Sequence, residues 1–113
     1  MIVQEIVDLL QAQVIGGSGK VDNEVTGGYV SDLLSHVMGH ALSGNVWITM
    51  QGHQNIVAVA SLLGLSAVII AGGIQPDQDA IRKADIEEIP LLLTSMSAFA
   101  IAGLLYDKGI PGV

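Results

Sequence analysis

The chain has 113 residues, 50% of them hydrophobic and 13% charged. This is enough for one domain with a buried core, and the composition excludes an intrinsically disordered chain. Four Lys and Arg stand against eleven Asp and Glu, and this acidic balance repels polyanions, so we expect no nucleic-acid partner. There is no cysteine for a disulfide framework or a thiolate site. The apolar N-terminal stretch has no basic leader, so we expect a cytoplasmic protein.

The apolar positions in 2–10 recur at helical spacing and predict an opening amphipathic helix. Ser97 and Asp77 are predicted N-caps, and Gly44 is a predicted helix stop. The later elements are predicted as a strand at 12–17, an extended piece at 27–32, a helix at 33–42, a strand at 45–50, a helix at 53–64, a strand at 67–73, a helix at 77–88, a strand at 90–95 and a helix at 97–108. Alternating strands and helices predict a single α/β domain over 1–113, with three α/β/α layers around a mostly parallel sheet.

Two segments, 56–74 and 89–106, carry no charge and are nearly long enough to cross a bilayer. A membrane hairpin is therefore an alternative reading. Glycine and serine interrupt the first segment at 62–66, and neither segment has the flanking Lys and Arg of a spanning helix. Buried strands of parallel sheets also read as unbroken apolar runs. We therefore expect no membrane segment.

The glycine-rich stretch VIGGSGKVDNEVTGG, at 14–28, raises the question of a phosphate-binding loop. A P-loop needs a glycine, any four residues, and then Gly-Lys followed by Ser or Thr. Counting back from Lys20, the leading position is Val14, and the residue after Lys20 is Val21. The stretch is therefore not a P-loop, and it predicts a flexible turn leaving a strand.

His36 and His40 lie four residues apart on a predicted helix and therefore on one face, an arrangement in which two imidazoles can share a metal ion. No glutamate follows His36, and Asp32 is the only obvious third ligand. The alternative is a solvated or interface face of the helix. We expect no metal site, and the role of the two histidines stays open.

In open α/β sheets, ligands bind beyond the carboxyl ends of the strands. Several predicted strands end in polar or glycine residues there, and helix amides at that edge favour an anion. The residues predicted to bind a ligand at this edge are Gln51, His53, Asn55, Gly72, Gly73, Thr94 and Ser95. The alternative is a set of caps and turns without a ligand. No carboxylate pair and no nucleophile with a base are evident, so no catalytic residue is assigned.

Three segments, EVTGGYVSDLL at 24–34, WITMQGHQNIVAVASLLGLSAVIIAGG at 47–73 and IPLLLTSMSAFAIAGLLYDKGI at 89–110, together resemble the DRTGG domain family over nearly the whole chain. Glu24 and Val25 replace the Asp and Arg of the naming motif, whereas Thr26, Gly27 and Gly28 agree with it. Members occur as stand-alone proteins and as modules of phosphate acetyltransferases and CBS-domain pyrophosphatases. The resemblance implies a fold similar to the N-terminal domain of HPr kinase/phosphorylase and a regulatory or assembly role, frequently as a dimer.

The motif adds Thr26, Gly27 and Gly28 to the predicted ligand-binding residues, because paired glycines before a strand can form a nest of backbone amides. The Val25 substitution removes any ion pair or anion contact that the family's arginine would make. The catalytic P-loop of HPr kinase belongs to its other domain, and this chain has none.

We therefore expect a non-catalytic regulatory or protein-interaction module without a cofactor. It is expected to form a homodimer in which glycine-rich loops and the apolar helix 97–106 pack across a two-fold axis. Its partner is a protein or a small effector, and a small anionic or nucleotide ligand is expected at the carboxyl edge of the sheet. The alternative is a small phosphotransfer or nucleotide-dependent enzyme that uses His53 as an acid or base beside Thr94 or Ser95.

Overall fold

The computed structural model describes residues 1–113. Its helices are α1 (Val3–Leu10), α2 (Leu34–His40), α3 (Asn55–Leu63), α4 (Gln78–Glu87) and α5 (Ala98–Asp107). Its strands are β1 (Gln13–Gly16), β2 (Gly27–Val30), β3 (Asn45–Thr49), β4 (Ala67–Ile70) and β5 (Leu91–Leu93), and a short 3₁₀ helix, Ser18–Lys20, follows β1. The predicted order of helices and strands is confirmed, with shorter elements than the hydrophobic pattern suggests.

One five-stranded sheet runs through the molecule in the order β1-β5-β4-β3-β2. Strands β2 to β5 are parallel, whereas β1 pairs with β5 in the antiparallel sense. In that pairing Gln13 lies opposite Leu93, so the start of β1 stands beside the end of β5. The mostly parallel sheet is confirmed, and the connection from α1 to β1 reaches the edge where the parallel strands end.

Each face of the sheet buries its own hydrophobic cluster. Val46 and Ile48 of β3 belong to the cluster beneath α1 and α5, whereas Trp47 belongs to the cluster beneath α2, α3 and α4. This alternation follows from the two-residue period of a strand. The Nε1 of the fully buried Trp47 donates a hydrogen bond to the carbonyl oxygen of Ser31 at 2.8 Å. The three-layer α/β/α architecture is confirmed.

The two apolar segments each divide between a strand and a helix of this core. Segment 56–74 supplies most of α3 and all of β4, and segment 89–106 supplies β5 and most of α5. None of the helices combines the length and apolarity that crossing a membrane would require.

The predicted helix ends are only partly right. The Oγ of Ser97 accepts a hydrogen bond from the amide of Ala100 at 3.1 Å, so this N-cap is confirmed. Asp77 occupies the N-cap position of α4, but its side chain makes no capping hydrogen bond. The prediction that Gly44 stops α2 is wrong, because the helix already ends at His40. The chain then turns toward β3, where the Asn45 side chain accepts from the amide of Leu42 at 2.8 Å.

Close packing explains the first glycine pair of the glycine-rich stretch. Gly17 has a φ of +65°, and a Cβ there would lie 2.0 Å from the carbonyl oxygen of Ile89. A Cβ on Gly16 would lie 2.9 Å from the Cβ of Ala84. The amide of Gly17 donates to Asp85 Oδ1 at 2.9 Å. The pair therefore lets the end of β1 pack closely against α4 and the start of β5.

We predict that Gly17→Ala lowers the free energy of unfolding by about 3 kcal/mol, because it combines left-handed backbone strain with a backbone clash. Gly19→Ala is the matched control, because a Cβ there meets no atom within 4 Å, and it should change stability by no more than about 0.5 kcal/mol. Urea denaturation of both variants measures the difference. Equal stabilities would contradict this account of the stretch.

Candidate functional site

The loops that follow β4 and β5 are joined by backbone hydrogen bonds. The amide of Gly72 donates to the carbonyl oxygen of Met96 at 2.8 Å, and the amide of Gly73 donates to that of Thr94 at 2.9 Å. Both glycines have a φ of +71°, a conformation that glycine adopts without a steric penalty. The amides of Gly72 and Gly73 are therefore hydrogen-bonded to the neighbouring loop.

Hydrogen bonds between neighbouring loops continue along the carboxyl edge of the sheet toward β2. The amide of Asp77 donates to the carbonyl oxygen of Gly52 at 2.9 Å, which ties the loop after β4 to the loop after β3. The carboxylate of Asp32 accepts from Thr49 Oγ1 and from the amide of Met50, both at 2.8 Å. The Gln51 side chain donates to the carbonyl oxygen of Asp32. Asp32 therefore fastens the loop after β2 to the end of β3, a structural role that the sequence reading missed.

A cleft of about 650 Å³ opens at this carboxyl edge, between the end of β5 and the C-terminal end of α1. We call it the carboxyl-edge cleft. It is lined by Leu9, Leu10, Gln11, Gln13, Gly73, Gln75, Leu93, Thr94, Ser95 and Met96. None of these residues is charged, and its volume lies in the range of small-molecule sites.

The carboxyl-edge cleft combines hydrogen-bonding groups with apolar side chains. The exposed side chains of Gln11, Gln13 and Gln75 each carry an amide with donors and an acceptor. Thr94 is buried, and its Oγ1 accepts from the amide of Met96 at 3.2 Å, which leaves its hydroxyl proton free to donate. The cleft can therefore bind a ligand through neutral hydrogen bonds and apolar contacts.

Of the residues predicted at this edge, Gly73, Thr94 and Ser95 line the cleft, and Gly72 adjoins it. The other predicted residues, Gln51, His53 and Asn55, follow β3, and β4 separates β3 from β5. Two strand spacings amount to about 10 Å. His53 Nδ1 accepts from the amide of Asn55 at 3.1 Å, at the start of α3. No hydrogen bond joins His53 to Thr94 or Ser95, and His53 does not line the cleft.

Thr26, Gly27 and Gly28 lie at the opposite, amino edge of the sheet, where β2 begins beside Asn45. The amide of Thr26 donates to the carbonyl oxygen of Gly44, and the amide of Gly28 donates to that of Pro111, both at 2.9 Å. A Cβ on Gly27 would lie 2.9 Å from the Val113 side chain. Thr26 therefore joins β2 to the turn before β3, Gly27 and Gly28 hold the chain's C-terminal segment against β2, and all three lie apart from the carboxyl-edge cleft.

Val25, at the position of the family's arginine, is buried in the cluster beneath α1 and α5. Its amide donates to the carbonyl oxygen of Met1 at 2.8 Å. The carbonyl oxygen of the neighbouring Glu24 accepts from the Ser66 hydroxyl. Val25 therefore contributes to the core, where an apolar side chain is suitable.

The two histidines of α2 contact each other. The rings of His36 and His40 stack with centroids 3.9 Å apart, and Nδ1–H of His40 donates to the carbonyl oxygen of His36 at 2.9 Å. His36 Nδ1 forms a hydrogen bond with the Tyr29 hydroxyl. The structure contains no group of three or more His, Cys, Asp or Glu residues placed to hold a metal ion.

A second concavity of about 360 Å³, which we call the α5 groove, lies between α5, the edge strand β2 and the chain's C-terminal segment. Phe99 and Tyr106 are 90% and 74% exposed, and they share one stripe of the helix with Ala102 and Gly103. The lining residues are Gly28, Val30, Ile48, Phe99, Ala102, Gly103, Leu105, Tyr106, Ile110, Pro111 and Gly112. The α5 groove is therefore an uncharged and largely apolar surface.

Comparison with solved structures finds the same fold in the CBS and DRTGG domains of the regulatory region of Clostridium perfringens pyrophosphatase, crystallised with the activator diadenosine tetraphosphate. The TM-score is 0.77 at 20% identity, and the match covers 97% of this chain and 47% of that one. The chain is also 27% identical over 109 residues to the uncharacterized protein YtoI of Bacillus subtilis (strain 168). That match covers 92% of this chain and 24% of YtoI, so the chain spans about a quarter of that relative.

The DRTGG domain profile matches residues 5–107, which include every strand and nearly all of the helical residues. The partial naming motif lies within this range, and the fold agrees with that of a solved DRTGG region. The chain belongs to the DRTGG domain family.

Proposed function

We propose that residues 1–113 form a single, non-catalytic regulatory domain that binds a small effector in the carboxyl-edge cleft and dimerises through the α5 groove. The carboxyl-edge cleft is the observation that carries the proposal, because its lining offers hydrogen bonds without an acid or base. The similar region of the Clostridium perfringens enzyme is regulatory and was crystallised with a nucleotide activator. A nucleoside or nucleotide effector is therefore the ligand class to test first.

The arrangement of the strands argues against the enzymatic alternative. A phosphotransfer reaction would need His53 within hydrogen-bond reach of Thr94 or Ser95. His53 follows β3 and makes no hydrogen bond to Thr94 or Ser95, and the cleft lining contains no histidine, lysine or carboxylate. Without a base beside them, these hydroxyls are suited to hydrogen bonding with a ligand.

The proposed occupant of the α5 groove is a second copy of this chain. A surface that carries seven excess negative charges disfavours self-association elsewhere, whereas the lining of the α5 groove is uncharged. A Cβ on Gly103 would meet no atom within 4 Å, so the centre of the stripe is open to an approaching side chain. If two α5 helices cross antiparallel about a two-fold axis, Phe99 of each copy can enter the space at Gly103 of the other.

We predict that the protein is a dimer at micromolar concentrations and that Phe99→Ser shifts it to the monomer, because the substitution removes the most exposed aromatic side chain of the groove. Ile86→Ser is the matched control, since Ile86 is 78% exposed on α4, in the opposite helical layer. Light scattering coupled to size exclusion measures the masses. A monomeric wild type, or equal dissociation by both variants, would remove the dimer from the proposal.

We predict that the effector raises the melting temperature and that a Ser95→Trp variant, whose side chain fills the cleft, abolishes this response. Ligand at one hundred times its dissociation constant stabilises the folded state by about 2.7 kcal/mol. A thermal-shift screen with nucleosides, adenine nucleotides, acetyl-CoA and inorganic phosphate tests this.

The controls are Ser35→Trp, at an exposed position of α2, and His53→Ala, outside the cleft lining. Both should respond to the effector as the wild type does. A response that survives Ser95→Trp would place the ligand elsewhere, and a response lost in His53→Ala would favour the enzymatic alternative.

A further inference from the structure

We infer that the carboxyl-edge cleft recognises an uncharged nucleobase and leaves any phosphate of the same ligand in solvent. The inference rests on the proposed function and specifies which part of the effector is bound. It follows from three properties of the cleft: the absence of charged side chains from its lining, the hydrogen bonds that the amides of Gly72 and Gly73 make within the protein, and the concentration of side-chain amides.

The cations of the chain all lie outside the cleft lining. Lys20 lies 3.9 Å from the Glu88 carboxylate, Lys83 lies 4.0 Å from that of Glu87, and Arg82 pairs with Asp79. Lys108 stands at the C-cap of α5. Because charge-assisted bonds from Lys or Arg supply much of the binding of phosphates, this cleft lacks the usual means of holding one.

The amides of Gly72 and Gly73 and the helix end in the lining do not supply the missing positive charge. The amides of Gly72 and Gly73 already donate to the carbonyl oxygens of Met96 and Thr94, so they form no free nest for an anion. The only helix end that contributes residues to the lining is the C-terminal end of α1, at Leu9, Leu10 and Gln11. Carbonyl groups carry the negative end of a helix dipole, so this wall disfavours an anion.

The groups that the cleft does offer suit the edge and the faces of a base. A glutamine amide presents a donor and an acceptor side by side, and it can pair with the N6 and N7 positions of adenine. Gln11, Gln13 and Gln75 place three such amides in one cleft, alongside the apolar side chains of Leu93 and Met96. A sugar alone has no comparable flat face for these apolar side chains to contact, so the heterocycle is the part of a nucleoside that this lining fits.

The test is a titration of the isotopically labelled full chain, followed by amide chemical shifts. Adenosine, guanosine, cytidine and uridine are added separately, and adenosine triphosphate and inorganic phosphate are the charged probes. We expect at least one nucleoside to give saturable shifts at Gln13, Leu93 and Thr94. Inorganic phosphate should leave these signals unchanged, and the triphosphate should bind no more than about twofold more tightly than adenosine.

Two variants test whether the glutamine side-chain amides of the cleft bind the nucleoside. Gln75→Leu keeps a side chain of similar size and should weaken the nucleoside by about tenfold, because polar groups of the base lose their partner. Gln54→Leu is the matched control, since Gln54 is exposed outside the cleft lining, and it should bind within about twofold of the wild type.

Three outcomes would overturn the inference: no nucleoside shifts the cleft signals, both glutamine variants weaken binding equally, or inorganic phosphate saturates the same signals. The last outcome, or a non-nucleoside hit blocked by Ser95→Trp in the thermal screen, would leave the regulatory proposal standing with a different ligand class. A screen without any cleft-dependent hit would instead remove the effector site itself.

Discussion

Hydrogen bonds between neighbouring loops fix the carboxyl edge of this sheet, and the candidate site depends on them. Gly72 and Gly73 donate to the loop after β5, and Asp77 donates to the loop after β3. Asp32 then holds the loop after β2 to the end of β3. Because the amides of Gly72 and Gly73 donate within the protein, they are not available to a ligand. Recognition by the cleft then depends on its side chains. The chemistry of the cleft therefore follows from the way its loops are held.

The two edges of the sheet differ in what they contribute. At the amino edge, the family motif joins β2 to the turn before β3 and to the chain's C-terminal segment through Thr26 and Gly28. Gly28 also lines the α5 groove, so the motif touches the proposed dimer surface but not the cleft. At the carboxyl edge, the antiparallel β1 brings the end of α1 beside β5 and completes the cleft. A ligand site and a self-association surface can thus occupy separate parts of one small fold.

The order of elements could be predicted because local signals determine it. Apolar runs mark β3 and β4, and a serine at the right offset caps α5. The residues that line the cleft could not be predicted in the same way, because they are brought together by the strand order. Gln11 and Gln13 line the cleft because β1 pairs with β5. His53 does not line it, since it follows β3 and β4 lies between β3 and β5. Neither fact has a local signature in the sequence.

The carboxyl-edge cleft is an uncharged cleft, and the glycine amides beside it are already bonded within the protein. Hydrogen exchange at the amides of Gly72 and Gly73 measures these bonds, because both residues are exposed while their amides are bonded. We expect protection on the order of a hundredfold over an unstructured peptide, unchanged by inorganic phosphate. Exchange at the unstructured rate, or protection that appears only when phosphate is added, would contradict it.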